Sequence, residues 1–153
     1  MRKKSFFLSM AVIALFITTA KTLRSQNAPH SSSDADRAKH VLAISLLRGI
    51  NTAEAEYKMK HGAYASKDAL LASDEFKGKG MAWAAKNDSQ LANAALSKGP
   101  EILPGWALRL NVTTDGQGYD LLLEDTTDKT CGYAAVTDER GVIRQSKAID
   151  CAI

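Results

Sequence analysis

The chain has 153 residues, of which 45% are apolar, and its formal charge at pH 7 is +3. This length and apolar fraction fit one globular domain with additional segments. Three positive charges, on Arg2, Lys3 and Lys4, lie within the first five residues, and the rest of the chain has a net charge of zero. The charge therefore gives no electrostatic argument for nucleic-acid binding.

The N-terminus has the layout of an export signal. A basic segment, MRKKS, precedes the apolar run FFLSMAVIALFITTA, and Thr18 and Ala20 supply the small residues of a cleavage site after Ala20. The run is shorter than the roughly 20 residues that span a bilayer. We predict a cleaved signal peptide over residues 1–20, with an uncleaved membrane anchor as the alternative. In either case the body is exported, to the periplasm or the cell envelope, and it contacts the membrane only if the segment is uncleaved.

A flexible linker and one folded domain are predicted after this segment. Residues 21–34 are polar and Ser-rich, without hydrophobic periodicity, which is typical of a linker. Residues 35–153 are predicted to form the domain. The absence of a cysteine directly after the apolar run argues against a bacterial lipoprotein.

Residues 37–65 predict one long amphipathic helix. Apolar residues recur there at steps of three and four, which is the spacing of a single buried stripe. Basic residues occupy the predicted last turn, and Gly62 supplies the left-handed residue that ends a helix. The predicted core stripe consists of Val41, Leu42, Leu46, Ile50 and Tyr57.

The middle third predicts two short helices. Ser66 can cap the first of them. Either Asp88 or Ser89 can cap the second, which is expected to run to about Leu96.

The last third predicts four strands joined by short turns. Residues 106–112 and 119–124 alternate apolar with polar side chains, and residues 131–137 and 142–145 form the third and fourth strands. Consecutive strands with short turns make an antiparallel meander. The predicted fold class is therefore α+β, with the long helix packed on a four-stranded antiparallel sheet and a partly helical variable loop between them.

Two cysteines, Cys131 and Cys151, lie near the C-terminus. In an oxidising compartment we expect them to form one disulfide, with two separate buried thiols as the alternative. Closing a loop of this length would stabilise the fold by about 3 kcal/mol in the chain-entropy description.

The order of these elements resembles the globular part of type IV pilins and type II secretion pseudopilins. The segment LLRGINTAEAEYKMKHGAYAS is similar to the end of the pilin helix and its exit, and YAAVTDERGVIR is similar to the last hairpin. The cysteine pair is similar to the disulfide that closes the C-terminal region of many pilins. The resemblance covers residues 35–153, whereas the usual prepilin start does not occur in the sequence.

No motif predicts catalysis. The histidines His30, His40 and His61 do not have metal-binding spacing, and Glu54 and Glu56 are expected on a solvated helix face rather than as a pair. We therefore predict no catalytic residue, no cofactor site, no metal site and no enzymatic activity.

Two predicted turns contain carboxylates and are candidates for a calcium site. Asp115 lies in one predicted turn, and Asp125 and Asp128 lie in another. Calcium requires six or more oxygen ligands, so ordinary turn chemistry is the preferred interpretation.

The resemblance implies an exported structural or assembly component of the cell envelope, in a type IV pilus or type II secretion context. Its implied partners are other pilin-like or secretion proteins. Trp83, in the variable loop, is the aromatic residue predicted to face a partner. The alternative function is a periplasmic binding module that has this fold and no filament role.

Overall fold

A computed structural model describes residues 34–129 and 132–147, which lie in one compact unit that spans Ser32–Ile153. These residues form an α+β fold. The helical segments are α1 (Asp34–His61), α2 (Lys67–Ala72), a π-helix (Phe76–Gly80), α3 (Met81–Asn87) and a 3-10 helix (Ser89–Leu91). The strands are β1 (Glu101–Leu103), β2 (Trp106–Val112), β3 (Tyr119–Asp125), β4 (Tyr133–Asp138) and β5 (Arg144–Lys147).

Several predictions fall on residues that the structure does not describe. The predicted export segment over 1–20, almost all of the predicted linker and both cysteines, Cys131 and Cys151, lie outside the described residues. Within the described part, no helix combines the length and the apolar character that crossing a membrane requires.

The sheet is an antiparallel meander in which each strand pairs with its neighbours in chain order, β1-β2-β3-β4-β5. It has five strands in the described residues, so the prediction of four was wrong by one. The missed strand, β1, has three residues and pairs with the start of β2. Three residues are too few to show the period-two alternation by which a strand is recognised. The predicted strand over 142–145 lies instead at Arg144–Lys147, because Val142 and Ile143 still belong to the connection.

The core lies between α1 and the inner face of the sheet. Alternate residues of β2 and β3 point inward, as the period-two pattern predicted. From α1, Leu46 and Ile50 of the predicted stripe are fully buried, and Leu42 and Tyr57 are partly buried against the same cluster.

The prediction that Val41 belongs to the buried stripe is wrong. Its side chain is 46% exposed, whereas Ala43 is fully buried. A helix turns by about 100° per residue, so these two positions lie roughly 160° apart around the axis. The buried face of α1 is thus centred on Ala43, Leu47 and Ile50, and Val41 lies nearly opposite this centre.

The middle third also differs from the prediction. No helix runs from Asp88 to Leu96; the Asp88 side chain accepts a hydrogen bond from the backbone N–H of Gln90 (2.9 Å) and caps only the 3-10 helix. The main helical segment lies earlier, where the π-helix leads directly into α3. Ser66 does cap α2, because its hydroxyl oxygen accepts from the N–H of Ala69 (3.4 Å).

A contact between two glycines brings α1 against this segment. A Cβ atom built on Gly49 would lie 2.7 Å from the carbonyl oxygen of Gly80 and 3.0 Å from the Cβ of Ala84. A Cβ atom on Gly80 would lie 2.8 Å from the carbonyl oxygen of Gly49. Only residues without a side chain allow the two backbones to approach this closely. The helix therefore packs on a second surface in addition to the sheet.

We expect Gly49→Ala to lower the free energy of unfolding by about 1–3 kcal/mol, because the new methyl group forces the two helical segments apart. The matched control is Gly78→Ala. Gly78 lies in the same π-helix as Gly80, and no atom lies within 4 Å of a Cβ atom added at this position. The control should be neutral or slightly stabilising, since alanine restricts the unfolded chain. Urea unfolding followed by circular dichroism measures both variants, and equal losses would contradict the proposed contact.

Candidate functional site

The outer face of the sheet, which points away from α1, carries a groove. This groove has a volume of about 650 Å³. Half-buried apolar side chains from neighbouring strands meet there, because Leu122 of β3 lies opposite Val136 of β4 and Ala134 is two residues away on the same face. Arg109 and Glu124 border this apolar area as a salt bridge with an N–O distance of 2.9 Å. The groove combines apolar contact with two opposite charges, which suits a protein or peptide surface.

Asp125 borders one end of the groove, although its side chain has the inward parity of β3 and faces α1. Its carboxylate is almost fully buried and accepts hydrogen bonds from the Lys39 ammonium group (2.8 Å) and from the backbone N–H and hydroxyl of Thr127 (2.8 and 2.6 Å). Burial alone would raise the pKa of Asp125, but these hydrogen bonds outweigh it and hold the pKa below its ordinary value. The hydrogen bond to Asp125 correspondingly raises the pKa of Lys39. Asp125 thus links the beginning of α1 to the end of β3.

The same contacts disfavour calcium binding at these turns. The ammonium group of Lys39 occupies the place that a cation would take beside Asp125. Asp115 lies in the other turn, where its carboxylate accepts from the Thr113 hydroxyl (2.6 Å) and the Gln117 N–H (3.0 Å). Within the described ranges no group of three or more histidine, cysteine or acidic residues is arranged to hold a metal ion.

The two described histidines do not come together. His40 stacks on the ring of Tyr133 (4.2 Å between ring centres), and His61 packs on Tyr57 (4.1 Å). They are 21 positions apart on α1, or about 30 Å along the axis. They cannot share a ligand, and each serves a local contact.

Trp83 lies on α3 and is partly exposed. The guanidinium carbon of Arg48, on α1, is 5.7 Å from the centre of its ring, within the range of a cation–π contact. Trp83 is not among the groove residues. Its predicted role in facing a partner stays a prediction.

Glu54 is the functional-site candidate that the sequence interpretation missed. It was expected on a solvated face, but its exposure is 0%. The spacing contained the signal, because Glu54 follows the buried Ile50 by four positions and precedes Tyr57 by three. Residue type was given more weight than position. Burial raises the pKa of Glu54 to about 7, although a hydrogen bond from the backbone of Ala65 acts to lower it.

No known family, curated protein or solved structure matches the chain. We therefore infer the function from the geometry of the described residues and from the resemblance in sequence.

We expect Asp125→Asn to lower the free energy of unfolding at pH 7 by about 1–2 kcal/mol, because the Lys39 contact loses its charge attraction. Asp120→Asn is the control, since Asp120 is exposed on the outer face of the same strand. It should change the free energy by less than about 0.5 kcal/mol. Below the ordinary pKa of an aspartate, the difference between wild type and Asp125→Asn should shrink, since the stabilisation is lost as pH falls through the lowered pKa. Urea unfolding at pH 7 and pH 3 tests this; a difference that grows in acid would contradict it.

Proposed function

We propose that the protein is an exported, non-enzymatic, pilin-like component of the cell envelope that acts in a type IV pilus or type II secretion context. The observation that supports this most is the arrangement of the domain. One 28-residue helix is followed by a partly helical middle segment and then by an antiparallel meander whose inner face packs on the helix. This is the order of elements for which the sequence resembles the globular part of pilins.

The helix exit, Gly62–Ala65, supports the proposal because it is part of the segment that carries the resemblance. Gly62 has a φ of +82°, the left-handed conformation that ends a helix. The backbone N–H of Tyr64 then donates to the carbonyl oxygen of Gly116 (2.9 Å), in the β2–β3 turn. The rings of Tyr64 and Tyr119 meet edge to face, with centres 4.8 Å apart. These contacts give the exit motif a defined role, which is to fasten the end of α1 to the sheet.

The last hairpin, the second resembling segment, also has a defined structure. Asp138 ends β4 and accepts hydrogen bonds from the backbone N–H and the guanidinium group of Arg140. Gly141, with a φ of +73°, donates its N–H to the carbonyl oxygen of Asp138 (2.8 Å) and closes the turn. The letters DERG in the resembling segment thus correspond to one tight turn that sets the direction of β5.

The groove favours the alternative, a periplasmic binding module on the same fold. An apolar surface bordered by the Arg109–Glu124 pair can accept a segment of another protein without any filament being formed. Both functions require a protein partner, and they differ in which protein the partner is.

Site-specific crosslinking in cells distinguishes the two. A photoreactive amino acid replaces Val136 in the groove, and a second variant carries it at Trp83. The control carries it at Asp68, an exposed residue of α2 that does not line the groove. We expect the Val136 variant to capture pilins or secretion pseudopilins and the Asp68 variant to capture none. Capture of other exported proteins alone would favour the binding module, and absence of pilin-like proteins from every variant would exclude the assembly role.

The intact mass of the protein purified from cells tests export and the disulfide together. We expect the mass of residues 21–153 less two hydrogens, and no reaction with a thiol reagent before reduction. Two labelled thiols would contradict the disulfide, and a mass that includes residues 1–20 would favour the membrane anchor.

A further inference from the structure

Glu54 has the geometry of a buried carboxyl group that nothing neutralises. One carboxylate oxygen, Oε2, accepts a hydrogen bond from the backbone N–H of Ala65 (2.9 Å), just beyond the helix exit. The other, Oε1, is buried and has no hydrogen-bond partner among the described residues. An ionised carboxylate in this position loses its hydration and regains only one hydrogen bond, whereas the neutral acid loses far less.

The groups on the exit and the sheet do not supply a positive charge to Glu54. The side chain of Tyr64, on the exit, has no cationic form. Tyr119, on β3, is neutral at pH 7, because burial and then the negative charge of Glu54 raise the pKa of its hydroxyl group. Asp138 and Glu139, at the end of β4, raise it further, so their charge has the same sign as that of Glu54.

The nearby cations of the helical layer are engaged elsewhere. Lys58, one turn further along α1, donates to the carbonyl oxygen of Gln117 (3.1 Å) and lies 4.3 Å from the centre of the Tyr64 ring. Lys60 forms a salt bridge with Glu75 (2.7 Å), and His61 approaches the same carboxylate at 4.0 Å. On the π-helix, Lys79 is paired with Glu56 of α1 (2.7 Å).

We propose that Glu54 is a proton-binding site that makes the attachment of the helix exit to α1 tighter in acid. Proton uptake removes the buried charge. The oxygen that does not carry the proton can still accept the hydrogen bond from the Ala65 N–H. When the proton leaves, the charge favours conformations in which water reaches the carboxylate. Because Ala65 donates its N–H to Oε2, movement of residues 62–65 away from α1 would expose this oxygen to water. This inference is independent of the proposed function.

The direction of the effect follows from the pKa of Glu54. Burial raises this pKa from 4.5 to about 7 in the folded protein. A raised pKa means that the folded state binds the proton more tightly than the unfolded state does. The stabilisation is therefore complete below about pH 4.5 and is lost as pH rises through about 7. Asp125, Asp138 and Glu75 have lowered pKa values, so their contributions are lost only in stronger acid.

The first test reads the Ala65 amide directly. In a two-dimensional nuclear magnetic resonance spectrum of the isotopically labelled protein, the Ala65 amide proton should shift with a midpoint near pH 7, because its acceptor changes charge there. In Glu54→Gln this shift should disappear, while in Glu56→Gln, the control two residues away on the same helix, it should remain. A midpoint below pH 5 in the wild type would overturn the proposal.

The second test measures stability with the same variants. Between pH 5 and pH 8 the unfolding equilibrium constant of the wild type should increase on the order of 50-fold more than that of Glu54→Gln. Glu56→Gln should keep the wild-type dependence. Equal pH dependence of wild type and Glu54→Gln would overturn the proposal, and since the first test uses the wild-type protein, it remains decisive even if Glu54→Gln folds poorly.

Discussion

The need to bury α1 on two sides at once determines most of this structure. One side of the helix faces the sheet, and another faces the π-helix and α3. The contact of Gly49 with Gly80 defines the second side, because the carbonyl oxygen of each glycine lies only 2.7–2.8 Å from the place that a Cβ atom on the other would take. The absence of side chains at these two positions thus permits the close approach of the helical segments. The apolar residues of the sheet and of α1 then have a closed space to fill, which is the condition for a densely packed core.

Polar contacts determine how α1 lies over the sheet, whereas apolar burial supplies the driving force. Lys39 binds Asp125 at one end of the helix, and Lys58 binds the carbonyl oxygen of Gln117 near the other. Between them, Asn51 accepts a hydrogen bond from the Tyr119 hydroxyl (2.9 Å) and donates to the Thr137 hydroxyl (3.1 Å). Hydrogen bonds depend on direction and distance, so a shift of α1 by one turn would break all of these contacts together. Hydrophobic burial by itself has no such directional requirement.

Local signals in the sequence were sufficient for the parts of the fold that depend on neighbours in the chain. Gly62 ends α1, Ser66 caps α2, and the alternation of β2 and β3 is visible in their residues, since each feature depends on a few adjacent positions. The missed features have different causes. β1 has too few residues to show the alternation of a strand, and the position of Glu54 on the helix was given less weight than its residue type. The contact between Asp125 and Lys39 could not be inferred, because Lys39 lies 86 positions away in the chain.

The groove and Glu54 lie on opposite sides of β3. The side chains of the groove are therefore in contact with solvent, whereas Glu54 is in the protein interior. Leu122 and Glu124 point to the outer face, where a partner would add apolar contact and where charges remain hydrated. Tyr119 points to the inner face, where the charge of Glu54 acts through a medium of low dielectric constant and raises the pKa of the Tyr119 hydroxyl group. A change of charge on Glu54 therefore acts mainly on the helix exit and the β2–β3 turn, which are held by only a few hydrogen bonds. The strands that form the groove are held by continuous ladders from β2 to β5, so they keep their register in both protonation states.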